Sequence, residues 1–121
     1  MPIVDVEFIR SIEGAAMPSA STLAAAIGRA LGTPPGRIWV RLRMLDASCY
    51  AENESPVSPS ELPVFVTVLH AHLPAGSALV AEVQLLTQTV ASCLGCASER
   101  VHVQYAPEGA GRQAFGGTLV K

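Results

Sequence analysis

Hydrophobic positions along the chain follow two periods that alternate twice. Residues 3–9 are rich in β-branched and apolar side chains and read as a strand. Residues 19–31 are alanine-rich, with Leu23, Ile27 and Leu31 spaced for one face of a helix. Gly32 and then Pro34-Pro35 form the usual glycine-then-proline stop. Residues 37–45 alternate cleanly. Ile38, Val40, Leu42 and Met44 share one side, and Arg37, Trp39, Arg41 and Arg43 the other, which predicts a strand between two different environments.

The same order then returns. Residues 64–73 predict a strand, and residues 77–94 a helix with Ser77 as its N-cap and Leu79, Val83, Leu86 and Val90 as its buried stripe. Residues 100–105 predict a last strand. Leu31-Gly32 followed by Arg37-Ile38-Trp39-Val40 recurs as Leu94-Gly95 followed by Arg100-Val101-His102-Val103, and Pro2-Ile3-Val4 recurs as Pro63-Val64-Phe65. The chain therefore reads as one domain, 1–121, with repeats at 2–46 and 63–106, a linker at 47–62 and a tail at 107–121. A helix between two strands serves as a crossover, so each repeat predicts a parallel pair. The expected class is α/β (α+β): two tandem β-α-β units in a four-stranded mixed sheet, both helices on one face. The other face, with Trp39, Arg41, Arg43, His70 and His72, needs a cover, and copies of the same subunit are the simplest one.

Composition narrows the function. Half of the 121 residues are hydrophobic, 15% are charged and the net charge is −2, a balance that leans towards an oligomer. There is no basic run for nucleic acid, no apolar stretch of about 18 residues for a membrane span, and no signal peptide at the start. The expected compartment is the cytoplasm. Cys49, Cys93 and Cys96 make no disulfide framework. Cys93-Leu94-Gly95-Cys96 falls at a helix end, where Gly95 is the expected C-cap, and reads as packing rather than redox chemistry. No metal site and no cofactor are expected.

Candidate chemistry starts at Pro2. Without Met1, Pro2 presents a secondary amine, and an α-amino group titrating near about 7.7–8.0 is a base suited to neutral pH. Arginines are the expected partners for a substrate carboxylate, because the guanidinium fork binds it through two parallel bonds. Arg10, Arg41, Arg43 and Arg112 are the candidates, with inter-subunit ion pairs to Asp5, Glu7 or Asp46 as the plain alternative for the strand arginines. Tyr50 and Tyr105 are candidate donors to a developing enolate. His70 and His72, two apart on a predicted strand, read as an interfacial pair.

An amino-terminal proline opening a duplicated β-α-β resembles the tautomerase superfamily over nearly the whole chain. The likeness is to its fused members, of the macrophage migration inhibitory factor and 5-carboxymethyl-2-hydroxymuconate isomerase type. Residues 32–38 resemble the helix-to-strand turn of the former, and residues 65–72 its third strand. Arg41 resembles an arginine of the isomerase, and Ala114-Phe115-Gly116-Gly117 is similar to the closing hairpin of 4-oxalocrotonate tautomerase. The resemblance implies a homotrimer with a pocket around each Pro2, built partly by the neighbouring subunit, and proton transfer between the carbon and oxygen ends of an enol acid. It implies Pro2 as base, Thr33 in place of a pocket lysine and His72 in place of an apolar wall residue. His102 and Gln104 take the places of a tyrosine and an asparagine. The segment His70-Ala71-His72-Leu73-Pro74 lacks the arginines of dehalogenating and decarboxylating relatives, which disfavours those chemistries and hydration. The rival expectation is a trimeric binding or structural protein with an altered pocket.

Overall fold

The computed structural model describes residues 1–11 and 17–121. Its elements run β1 (Ile3–Arg10), α1 (Ala20–Leu31), β2 (Trp39–Asp46), β3 (Val64–Leu69), α2 (Ser77–Leu94) and β4 (Val101–Tyr105). A two-stranded hairpin, β5 (Ala114–Phe115) and β6 (Thr118–Leu119), ends the chain. The main sheet is ordered β2-β1-β3-β4, with β1–β2 and β3–β4 parallel and β1–β3 antiparallel. This is the expected pair of β-α-β units in one mixed sheet.

The inward residues Val4, Val6, Phe8, Val64, Val66 and Val68 meet Leu23 and Ile27 of α1 and Leu86, Val90 and Leu94 of α2 in one core. Burying each such side chain is worth about 1.5–3 kcal/mol, so the covered sheet face and the helix stripes hold each other. Leu79 and Val83, expected in the stripe of α2, are only half-buried, and Ala91 and Leu94 complete it instead. Among the described residues α2 is the one helix long and apolar enough to cross a membrane, yet its inner face belongs to this core.

Local chemistry sets the helix ends. The Ser19 hydroxyl accepts the Thr22 amide at 3.1 Å, and Gly32 ends α1 in the left-handed conformation. Gly95 ends α2 in the same way, with the Cys96 amide bonded to Ala91 O, and burial pushes the Cys96 thiol pKa up. The start of α2 differs from expectation. Ser77 is its first residue, and the cap position belongs to Gly76 at φ 57°, with no side-chain cap bond. A left-handed turn there admits glycine, and no side chain.

Register corrects the repeat alignment by one residue. Val4 pairs with Val40, and Val66 with Val103. With β2 laid on β4 as Val40 on Val103, Pro2 falls level with Val64, and Met1, not Pro2, falls level with Pro63. The strand β3 also stops at Leu69, four residues short of the expected end. From His70 on, the chain pairs with the tail: Gly109 N donates to His70 O at 2.8 Å, and Ala110 N to Ala71 O at 3.1 Å.

Candidate functional site

The alternation of β1 to β4 sends one set of side chains onto the face opposite the helices, in rows across the strands. One row is Arg41, Asp5, Thr67 and Gln104; the next is Arg43, Glu7, Phe65 and His102. Arg41 is locked to Asp5 by Nε to Oδ1 at 2.5 Å and Nη2 to Oδ2 at 2.8 Å, and Gln104 donates to Thr67 Oγ1 at 2.9 Å. All of these but His102 line one shallow groove, in which Asp5 holds Arg41 and Glu7 stands level with Arg43.

The start of β1 is a different environment. Pro2 is buried, and its carbonyl accepts the Trp39 amide at 3.2 Å. The Trp39 ring stacks on Phe115 of the tail hairpin, with centroids 4.8 Å apart. Met1 lies against Gly109: a Cβ at Gly109 would overlap Met1 Cε and press on Gln113 Cβ and His70 O, each at 3.3 Å. A side chain at this position would make the flexible end of Met1 move and the other two neighbours give slightly. Burial, and next the Arg37 guanidinium, hold the terminal amine below its ordinary pKa, because both disfavour the cation.

Beneath this end lies a polar cluster on the helix side of the sheet. Glu82 Oε2 of α2 accepts Tyr105 Oη at 2.6 Å and lies 2.9 Å from His70 Nε2. The His70 and Tyr105 rings stack at 6.0 Å. Burial first, then the bond to Glu82, pushes the Tyr105 phenol well above its usual range. His70 therefore faces α2 rather than the open face, and it is no partner of His72. His72 is exposed, with Nε2 3.3 Å from Lys121 O and Nδ1 3.8 Å from Glu108.

A third cluster sits at the opposite end, before β4. Tyr50 Oη donates to Glu52 Oε2 at 2.6 Å, and Arg100 Nη2 donates to the same oxygen at 2.8 Å. Those bonds, Tyr50's first, hold the Glu52 carboxyl below its usual range. Phe65 links Tyr50, 6.1 Å away, to His102, 5.5 Å away.

The expected site residues thus divide. Pro2 stands at the start of β1, with His72 and Arg112 in the segments that pair beside it; Arg112 Nη1 donates to Glu108 O. Arg41, Arg43 and Gln104 share the open groove, and His102 lies in the same row as Arg43. His102 and Gln104 are on β4, two strands from β1, so within one chain they stand away from Pro2. Thr33 lines a separate apolar groove with Pro34, Pro35 and Ile38. Arg10 is at the far end of β1, about 26 Å along the strand at ~3.3 Å per residue. There its Nη2 caps Leu94 O at 2.9 Å. Tyr50 serves the Glu52 cluster. Three residues of the Pro2 end escaped the sequence reading as site members: Arg37, Gly109 and Glu82. The alternation that set Arg37 with the other strand arginines was the available signal; register separates them.

No family model matches the sequence, and no curated protein does. Solved structures match it closely in shape. A wild-type fused 4-OT in an asymmetric trimer superposes with a TM-score of 0.75 over 97% of this chain and 94% of its own, at 18% identity. Pt0534 inactivated by 2-oxo-3-pentynoate gives 0.74 over 97% and 94%, at 16% identity. Macrophage migration inhibitory factor from Trichinella spiralis gives 0.70 over 97% and 98%, at 18% identity. The chain has the fold these proteins share.

Proposed function

We propose that the chain, once Met1 is removed, is a cofactor-independent tautomerase whose Pro2 amine moves a proton between the oxygen and carbon ends of a small enol carboxylate. The observation that carries this reading is the setting of the terminal amine. It is partly buried and stands near a guanidinium, and both lower its pKa. A Pro2 amine set free at this end by loss of Met1 is pushed in the same direction, towards its neutral, basic form. Its lone pair takes the proton of the enol hydroxyl, the carbonyl forms, and the electrons of the carbon–carbon double bond take a proton back from the prolinium. The base is regenerated and no cofactor is needed.

The fold supports this, since a fused 4-OT and Pt0534 share it, and the compound that inactivates Pt0534 is by its name a 2-oxo carboxylate. We also propose a homotrimer. The groove of Arg41, Arg43, Phe65 and Gln104 lies open in the single chain, and similar folds are trimeric. In such an assembly His102 and Gln104 of one copy reach the Pro2 pocket of another. The expected compartment is the cytoplasm. A second reading, a trimeric binding or structural protein, is favoured by one observation: His72, where the resemblance implies an apolar pocket wall, is exposed with Nε2 3.3 Å from Lys121 O.

The test is ketonisation of the phenylpyruvate enol followed in the ultraviolet. Positioned general bases contribute about 10²–10⁴-fold, and Pro2→Ala is expected to lose that much. Equal turnover by Pro2→Ala rejects proline as the base.

A further inference from the structure

We propose that Arg37 is the residue that binds the substrate carboxylate beside Pro2, an assignment that rests on the tautomerase reading above. With Ile3 paired to Trp39, and Trp39 N bonded to Pro2 O, the turn entering β2 runs alongside the chain start. Arg37 is exposed in that turn, two residues before Trp39, whose ring is walled by Phe115.

The other arginines expected to hold a carboxylate are committed or elsewhere. Arg41 is held by both oxygens of Asp5, Arg10 binds Leu94 O at the far end of β1, and Arg112 donates to its own turn at Glu108 O. Arg43 stands opposite Glu7, further along the strand. The side chain of Arg37 has no hydrogen-bond or ion-pair partner among the described residues, and its charge acts on the terminal amine.

The second repeat supplies an internal comparison. Arg100 occupies the place of Arg37, just before the equivalent strand and in the same register. It holds a carboxylate, that of Glu52, and a tyrosine hydroxyl binds the same oxygen. The scaffold therefore presents a guanidinium to a carboxylate at this position, and in the second unit the linker provides that carboxylate. In the first unit the matching partner is an external anion. Pro2 and the stacked rings of Trp39 and Phe115 stand at the same sheet end as Arg37. That geometry favours 2-oxo acids, and their enols, with an apolar or aromatic substituent.

The experiment uses processed chains verified by intact mass: the parent, Arg37→Gln, Arg37→Lys, Pro2→Ala and a control, Arg29→Gln. Calorimetric titration with phenylpyruvate reads binding without turnover. Kinetics with the phenylpyruvate enol and with its methyl ester reads recognition of the charge. Losing a hydrogen bond to a charged group corresponds to about 10- to 150-fold, and Arg37→Gln is expected to weaken phenylpyruvate binding and kcat/KM for the acid by that factor. The ester is expected to change little, and Arg37→Lys to recover part of the binding. Pro2→Ala is expected to bind phenylpyruvate while losing turnover, so failure of the proline mechanism is read separately. Unchanged affinity in Arg37→Gln, an equal loss with acid and ester, or no binding of phenylpyruvate by the parent overturns the assignment.

Discussion

The two β-α-β units share one scaffold but use their polar groups differently. In the second unit two charged residues are tied into the structure. Arg100 is bonded to Glu52 and Tyr50 through one carboxylate oxygen, and Glu82 joins α2 to the ends of β3 and β4 through His70 and Tyr105. In the first unit α1 carries no acidic residue, and the strands are held by apolar packing and the Arg41–Asp5 pair. Pro2 and Arg37 remain outside those networks. One repeat ties Arg100 and Glu82 into the fold, while the other leaves Pro2 and Arg37 side by side at a sheet end.

The largest stability effect is expected where the second unit is bolted. Glu82→Ala strands the half-buried His70 ring and Tyr105 hydroxyl, and an unsatisfied polar group costs about 1–3 kcal/mol. Denaturant unfolding reads this; a loss below 0.5 kcal/mol would mean that water satisfies both groups. The same cluster gives a pH signature. The folded Tyr105 phenol is held above its ordinary value of 10.0, so the native state keeps a proton that the unfolded chain releases. Stability is therefore unaffected by this group below that value and declines as pH rises past it. Tyr105→Phe is expected to remove that alkaline decline.

A smaller effect separates the Pro2 end in its two processing states. Overpacking costs about 1–3 kcal/mol, and Gly109→Ala is expected to reach the lower end of that range in chains that keep Met1, whose Cε meets the new methyl group. In processed chains only the 3.3 Å contacts to Gln113 and His70 O remain, and the loss is expected to shrink. Equal loss in both forms would place Met1 elsewhere. The smallest effect contrasts the two arginine positions directly. Removing the surface cation in Arg37→Gln is expected to leave stability within about 0.5 kcal/mol, whereas Glu52→Gln lowers Tm by freeing Arg100. Equal sensitivity would dissolve the distinction between the units.

Much of this architecture is written locally. The periods of 2 and 3.6 and the glycine-proline stops are short-range signals, and they mark every main strand and helix. The site was less legible because it depends on register. Matching prolines suggested that Pro2 and Pro63 are equivalent, while the ladder sets Pro63 level with Met1. His70 and His72 share a parity along an ideal strand, but the tail captures the backbone at His70 and Glu82 draws its ring under the sheet. Neither influence is visible within a few residues of the histidines. Arg10, a carboxylate candidate by residue type, occupies the end of β1 opposite Pro2, where it bonds Leu94 O.

The central claim is that the amine at the start of β1 is the base, and the most direct measurement compares chains with and without Met1. Separated by intact mass and assayed on one enol acid, activity is expected to track the fraction of chains with a free Pro2. The rate of the processed form is expected to rise with pH through a titration below the usual amine value of about 7.7–8.0. An amide nitrogen between Met1 and Pro2 has no basic lone pair, so chains that keep Met1 are expected to be inactive. Equal activity in the two forms, with the same pH profile, would contradict the mechanism.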